Sequence, residues 1–176
     1  MSFDGIDFAQ LGWPKTKYAS VERERRWLCK VIPNEIVLKR ETLNDLYIEG
    51  TQLRLRQVRG GGDNLIQFKL SRKADIDASR RIISTLYLTE FEFSLFSQLR
   101  GSRLQKLRHH IIGLDGTSIS IDQFAGSLNG LLLAEVEFET DADMIAYRAP
   151  DFMGREVTGE SEWTGGCLVT RGMPNM

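Results

Sequence analysis

The chain has 176 residues, 41% hydrophobic and 27% charged, which is enough apolar material for one domain with its own core. Its 23 Lys and Arg residues nearly balance 24 Asp and Glu residues, which argues against a dedicated nucleic-acid binder. No apolar run approaches the roughly 18 residues of a membrane-spanning helix, the N-terminus lacks the features of a secretory signal, and the two cysteines are far apart. We therefore expect a cytoplasmic protein with no membrane or nucleic-acid partner.

Alternation of polar and apolar residues with a period of two predicts that strands dominate the chain. Strands are predicted over 21–28, 42–50, 51–58, 64–72, 80–88, 104–112, 117–124 and 130–140, with a short last one within 154–163. The run "RGGGD" at 59–63 is predicted to be a hairpin loop, because glycines allow positive φ. Residues 1–20 do not fit the pattern and are predicted to form an arm before a domain that covers 21–176.

Two helices are predicted, and each follows a strand at a polar capping residue. Thr89 is the expected N-cap of the first, which Gly101 closes, and Thr140 or Asp141 caps the second, which stops at Pro150. So many strands in one domain, with so few helices, predict an α+β protein dominated by an antiparallel barrel or sandwich.

The charged residues of the strands are sorted by face. Side chains of a strand alternate between its two faces, so Glu22, Glu24 and Arg26 share one face, although like charges on one face repel. The same alternation of an apolar and a charged face recurs in basic strands with Arg54, Arg56, Lys69, Lys106 and Arg108, and in acidic strands with Asp122, Glu135 and Glu137.

Two architectures fit this pattern, and the alternation alone does not choose between them. In the first, the apolar faces meet in a core and the charges are solvated. In the second, the sheet closes into a barrel whose lumen holds the charges, which is costly unless they are paired or occupied by ions. Such a lumen would suit a complex of a metal with a polyanion, because carboxylates suit Mg²⁺ or Mn²⁺ while Arg and Lys suit phosphate oxygens.

The stretch "ERERR" resembles the Glu-x-Glu-x-Lys signature of the CYTH superfamily, the triphosphate tunnel metalloenzymes. In the same order along the chain, "LYIEGTQLRLRQ", "FKLS", "LQKLRHH", "ISIDQFAGSLNGLLLAEVEFE" and "MGREVTGES" are similar to later segments of that superfamily. A lone Glu-x-Glu-x-Lys is a weak signal, whereas this ordered set, over about residues 20 to 169, is a strong one.

The resemblance implies a closed antiparallel barrel of about eight strands around a charged tunnel, with a few covering helices. Members cleave inorganic triphosphate, thiamine triphosphate or nucleoside triphosphates with a divalent metal, and some form cyclic AMP. Carried over by position, the resemblance implies metal binding by Glu22, Glu24, Asp122, Glu135 and Glu137, phosphate binding by Arg54, Arg56, Lys69, Arg80, Lys106 and Arg108, and catalytic roles for Arg26 and Tyr47.

The sequence departs from the superfamily's pattern at three places. Arg26 stands where the signature has lysine, and a guanidinium binds phosphate but cannot act as a general base. On the fifth strand Arg80 is kept, but Ile82 and Ser84 replace two glutamates, which puts a second metal site in doubt. After "EVT", Ser161, Glu162 and Trp163 replace the usual basic and tyrosine positions.

The function predicted from these residues is metal-dependent hydrolysis of a triphosphate, with inorganic triphosphate as the substrate and Mg²⁺ or Mn²⁺ as the cofactor, in a monomer or homodimer. An adenylate cyclase would use the same tunnel, but no element of the sequence specifies adenine. A non-catalytic sensor of polyphosphate or nucleotides is the third hypothesis, and Arg26 together with the missing fifth-strand glutamates keeps it open.

Overall fold

Eight antiparallel strands close into a barrel in the computed structural model, which describes residues 6–60, 65–113 and 115–174. The strands are β1 Ser20–Cys29, β2 Val37–Ile48, β3 Leu53–Gly60, β4 Ile66–Asp75, β5 Arg80–Leu88, β6 Gly101–Ile112, β7 Ser118–Phe124 and β8 Leu132–Phe138. Their order is β5-β4-β3-β2-β6-β7-β8-β1, and pairing of β1 with β5 closes the ring. A ninth strand, β9 Met153–Glu156, pairs with β1. The barrel prediction is confirmed.

The strand predictions hold, with shifts at their ends. β5 has the predicted bounds, whereas β2 begins five residues before the predicted start at residue 42. Of the predicted last strand within 154–163, only a short part is β-structure. The predicted "RGGGD" hairpin falls largely on residues 61–64, which lie outside the described residues.

Three short α-helices lie between or after the strands: α1 Glu90–Phe96, α2 Asp141–Ala146 and α3 Gly165–Arg171. The Thr89 hydroxyl accepts a hydrogen bond from the Glu92 backbone while the Glu92 carboxylate accepts one from the Thr89 backbone, and Thr140 caps α2. α1 ends before the predicted Gly101, and α3 was not predicted, because its first two residues are glycines with low helix propensity. No helix within the described part of the chain is long and apolar enough to cross a membrane.

The apolar core lies mainly outside the barrel, because the charged faces of the strands point into its lumen. α1 covers one part of the outer surface with Phe93 and Phe96 packed on Leu46 and Leu55. A second outer cluster is centred on Trp27, and it includes Tyr147 after α2 and Met153 of β9. A third closes one end of the lumen, where Trp163 and Leu168 of the C-terminal segment pack on Leu104, Phe124 and Leu133.

The segment before β1 covers the outer face of β4 and β5. Trp13 is buried against Ala74 and Ile82, and its indole nitrogen donates a 2.8 Å hydrogen bond to the Ser84 hydroxyl. The Arg72 guanidinium lies 4.1 Å from the centroid of the Trp13 ring and also donates to backbone carbonyls of the arm. This part of the predicted arm is therefore part of the packed structure and takes the place of a covering helix.

We expect Trp13→Ala to lower the free energy of unfolding by about 3 kcal/mol, because it removes a buried aromatic side chain and leaves the outer face of β5 uncovered. Chemical denaturation measures the change, and Tyr18→Ala is the control, because Tyr18 is 71% exposed in the same segment. Equal stability of the Trp13 and Tyr18 variants would show that the arm does not dock on the barrel.

Candidate active site

The lumen contains a cavity of about 300 Å³ that two walls of opposite charge surround. Ten of the thirteen predicted site residues line it: Glu22, Glu24, Arg26, Tyr47, Arg54, Arg56, Lys106, Arg108, Glu135 and Glu137. Sequence reasoning missed three further charged lining residues, Lys73, Asp75 and Arg81. Most of the predicted site residues therefore lie together around one cavity. Their position there does not by itself assign a role to any of them.

The acidic wall is built by β1 and β8, which pair so that Glu24 lies opposite Glu137 and Arg26 opposite Glu135. The Arg26 Nε atom lies 3.4 Å from Glu24 Oε1. Burial lowers the pKa of Arg26, and the nearby Arg81 charge acts in the same direction. An arginine remains a cation even so, and Arg26 is therefore a fixed positive charge within an otherwise acidic wall.

The pKa of Glu137 shows that negative charge is crowded on this wall. This pKa is raised, first by burial and then by the neighbouring carboxylates of Glu22, Glu135 and Glu24. A divalent cation would relieve this repulsion, and carboxylate oxygens are donors that Mg²⁺ and Mn²⁺ prefer. The donor chemistry therefore fits such a cation, although no three Asp, Glu, His or Cys side chains of the described residues converge in a ligating arrangement.

The basic wall is built by β2, β3 and β6, and its cations are held by buried carboxylates. Arg56 donates two hydrogen bonds of 2.6 Å to Asp45, one from Nε and one from Nη2. Burial by itself would raise the pKa of Asp45, but the Arg56 guanidinium outweighs it and holds that pKa below its usual range. Asp45 lies opposite Arg56 in the β2–β3 pairing, so its position on the charged face of β2 was the signal that sequence reasoning missed.

Asp122 lies behind the basic wall and does not line the cavity. It is fully buried, and its two oxygens accept hydrogen bonds from Arg108 at 2.7 and 2.8 Å and from Lys106. Arg108 also donates to Glu135 at 2.6 Å, and the positive charges of Lys106 and Arg108 outweigh burial and lower the pKa of Glu135 to about 2. In this arrangement Asp122 is a counter-ion that fixes Lys106 and Arg108, so metal binding by Asp122 stays a prediction.

The structure corrects the predicted positions on β5. The pairing places Arg81 opposite Glu22, so Arg81 faces the lumen and Arg80 does not. The Arg80 side chain instead pairs with Asp77 at 2.6 Å and lies 3.6 Å from Asp141, outside the cavity. Sequence reasoning missed this because a shift of one residue moves every side chain of a strand to the other face.

The register of β5 also places Ile82 and Ser84, the residues that replace the two expected glutamates, on the outer face of the barrel. Ile82 and Ser84 face outward, where both contact the arm around Trp13. The lumen-facing positions of β5 begin with Arg81 and Ile83, so this face has an arginine and an apolar residue in the place of carboxylates.

The lysine predicted on β4 also lies elsewhere. Lys69 is on the lumen face opposite Arg56, but its Nζ atom lies 5.1 Å from the centroid of the exposed Tyr87 ring and Lys69 does not line the cavity. Lys73, four residues further along the same face, reaches the cavity and pairs with Glu22. Lys69 and Lys73 share one face of β4. They differ in their position along the strand, and only Lys73 lies at the depth of the cavity.

Tyr47 lies where the C-terminal helix approaches the lumen. A Cβ atom added at Gly165 would lie 2.2 Å from the Tyr47 hydroxyl, so the glycine at the start of α3 permits this approach. Burial raises the pKa of Tyr47, which keeps the phenol protonated and able to donate a hydrogen bond at neutral pH. Nearby, Arg54 Nε is buried without a hydrogen-bond partner in the described structure, as is Arg26 Nε.

We expect Asp45→Asn to lower the free energy of unfolding by about 3 kcal/mol at pH 7, because it leaves the buried Arg56 charge without its partner. The folded-state pKa of Asp45 is depressed, so its stabilisation is complete above about pH 4 and is lost as the pH falls toward the folded-state pKa. Denaturation at pH 7 and pH 3 should show the difference between wild type and variant shrinking at the lower pH.

The control for this measurement is Glu49→Gln, which removes an exposed pair with Arg100 at 3.5 Å. We expect it to change the stability by less than about 1 kcal/mol at either pH. An Asp45→Asn protein as stable as this control would contradict the buried pair.

Comparison with known proteins finds two inorganic triphosphatases that are similar to parts of this chain. An inorganic triphosphatase of Nitrosomonas europaea is 29% identical over 152 residues, which cover 84% of this chain and 96% of that protein. An inorganic triphosphatase of Acetivibrio thermocellus is 33% identical over 66 residues, 38% of this chain and 40% of that protein. No family model matches the chain.

Solved structures share the barrel. The crystal structure of an inorganic triphosphatase superposes with a TM-score of 0.59 at 24% identity, over 84% of this chain and 93% of that one. A protein from Pyrococcus horikoshii superposes with a TM-score of 0.54 at 20% identity, over 70% of this chain and 82% of that one. The closed barrel and the relative that matches 84% of this chain are consistent with the resemblance of the ordered motifs to the CYTH superfamily.

Proposed function

We propose that the chain hydrolyses inorganic triphosphate in its tunnel, in a reaction that depends on Mg²⁺ or Mn²⁺. The observation that carries this proposal is the division of one cavity into an acidic wall on β1 and β8 and a basic wall on β2, β3 and β6. A polyanion with a bound cation is the ligand that would satisfy both walls at once. The names of the two relatives support inorganic triphosphate as the substrate.

The basic wall is suited to hold phosphate oxygens in a fixed place. Arg56, Lys106 and Arg108 are oriented by Asp45 and Asp122, so they need little rearrangement when a phosphate chain enters. The buried, unpartnered Nε atom of Arg54 supplies a donor that an anion would satisfy. Phosphoryl transfer depends mainly on such positioning and on neutralising charge, so this wall would also stabilise the transition state.

The acidic wall would hold the metal. Glu22, Glu24 and Glu137 surround the most crowded part of it, and Glu135 lies next to them on β8. When bound, Mg²⁺ or Mn²⁺ would neutralise phosphate charge and lower the pKa of a water molecule. The roles of Glu135 and Asp122 as further ligands remain predictions, since both accept hydrogen bonds from Arg108.

Arg26 and Tyr47 would act on the phosphate chain without accepting a proton. Arg26 supplies a permanent positive charge, and its Nε atom, which lies 3.4 Å from Glu24 but makes no hydrogen bond in the described structure, would donate to an oxygen of the substrate. Tyr47 is protonated at neutral pH, so it would donate a hydrogen bond to a phosphate oxygen or orient the attacking water. Neither side chain would therefore act as the general base for the attacking water.

Incubation with triphosphate, ATP or thiamine triphosphate, each with Mg²⁺, Mn²⁺ or EDTA, tests the proposal directly. We expect phosphate and pyrophosphate from triphosphate in the presence of metal, and no product with EDTA. Formation of cyclic AMP from ATP would favour the cyclase hypothesis, and tight triphosphate binding without turnover would favour the sensor. Either result, without triphosphate cleavage, would overturn the proposed function.

We expect Arg54→Ala to reduce kcat/KM for triphosphate by about 30- to 800-fold, which corresponds to about 2–4 kcal/mol for the loss of one preorganised charged donor. Steady-state kinetics measure the effect. The matched control is Arg59→Ala, because Arg59 lies on the same strand but is exposed and does not line the cavity. If both variants cleave triphosphate as fast as wild type, Arg54 does not bind the substrate.

A further inference from the structure

The acidic wall contains its own counter-ions. The Lys73 ammonium pairs with Glu22, and Arg81 donates a 2.6 Å hydrogen bond from Nη1 to Glu24 Oε1. The Arg81 Nε atom donates a second bond of 2.6 Å to Asp75. Both cations come from the β4–β5 hairpin, which reaches the acidic wall because β5 closes the barrel against β1.

These pairs use the carboxylates that the proposed function assigns to the metal. A cation that binds Glu22 and Glu24 would compete with Lys73 and Arg81 for them, so metal binding requires the two side chains to be displaced. Both side chains line the cavity, so once displaced they would face its interior.

Displacement alone would leave positive charges crowded together. Arg26 lies close enough to Arg81 for each charge to disfavour the other, and Lys73 lines the same cavity. The adjacent lumen position on β5 is Ile83, which offers no new carboxylate to Arg81. An anion in the cavity would remove this cost, because its oxygens would accept hydrogen bonds from the displaced side chains.

We propose that Lys73 and Arg81 are exchangeable counter-ions: a divalent cation takes Glu22 and Glu24 from them, and they then bind the phosphate chain. This inference rests on the proposed function. Metal and triphosphate would consequently bind with positive coupling, and by linkage each raises the affinity for the other by the same factor. Arg81 has a second partner, Asp75, whose side chain is 68% exposed. Asp75 can keep Arg81 at the cavity while Glu24 binds the cation, so substitution of Arg81 is the sharper test of the exchange.

Isothermal titration of the metal-free chain with MnCl₂ alone tests the first half of the exchange. We expect Arg81→Gln to bind Mn²⁺ about tenfold more tightly than wild type, since its competing charge is gone. Arg81→Lys keeps the charge and should retain the weaker wild-type affinity. Arg80→Gln is the matched control, because the neighbouring Arg80 pairs outside the cavity, and it should leave the affinity unchanged.

Titration with a triphosphate analogue whose bridging oxygens are replaced by imido groups, with and without MnCl₂, tests the second half. In wild type, Mn²⁺ should raise the affinity for the analogue several-fold, and in Arg81→Gln this increase should be smaller. Unchanged or weaker Mn²⁺ binding by Arg81→Gln would overturn the exchange, and equal analogue binding with and without Mn²⁺ in wild type would overturn the coupling.

Two further outcomes separate this inference from the proposed function. If wild type cleaves triphosphate but Arg81→Gln binds Mn²⁺ as wild type does, the exchange is wrong and the proposed function stands. If wild type neither binds the analogue nor cleaves triphosphate, the proposed function fails, and the coupling fails with it. Should Arg81→Gln not fold, as judged by circular dichroism, Lys73→Gln must show the tighter Mn²⁺ binding, and its absence there overturns the exchange equally.

Discussion

The pairing of β1 with β5 on one side and β8 on the other is the constraint on which the structure depends. It turns the charged faces of the strands toward one lumen, where isolated charges would be strongly unfavourable. The lumen is stable because its charges are matched: Asp45 holds Arg56, and Asp122 holds Lys106 and Arg108. Ion pairing across strands therefore does for the inside of this barrel what apolar packing does in most small barrels.

The placement of charges inside the barrel and apolar residues outside it explains the positions of the helices, β9 and the arm. With the charges inside, the apolar faces of the strands point outward and must be covered by α1, by α2 with β9, and by the arm around Trp13. The C-terminal segment instead closes one end of the lumen through Trp163 and Leu168. The covering elements hold the wall strands in place, and a rigid wall is what electrostatic stabilisation of a transferring phosphoryl group requires.

The two walls are not equivalent in their readiness for a ligand. On the basic side, the anchoring carboxylates are buried behind the cavity, so the cations they hold remain directed at it. On the acidic side, Lys73 and Arg81 occupy Glu22 and Glu24 from within the cavity. Arg81 gives this tunnel a positive charge on β5, the strand on which the resemblance to the superfamily implies glutamates.

Which side chains share a face was determined by the sequence itself, because the period of a strand is two and does not depend on its neighbours. That is why Glu22 with Glu24, Arg54 with Arg56, and Lys106 with Arg108 could be grouped before any pairing was known. The helix caps at Thr89 and Thr140 were predicted correctly for a different local reason, since a capping side chain bonds the backbone only three residues further on. Alternation does not say which face is inside, and the barrel followed from the resemblance. Only the tertiary structure decided the contacts between distant strands: the register that selects Arg81 over Arg80, the depth that selects Lys73 over Lys69, and the Asp45–Arg56 pair. Register and depth are set by where β5 meets β1, about sixty residues away along the chain, and no local pattern of side chains encodes that meeting point.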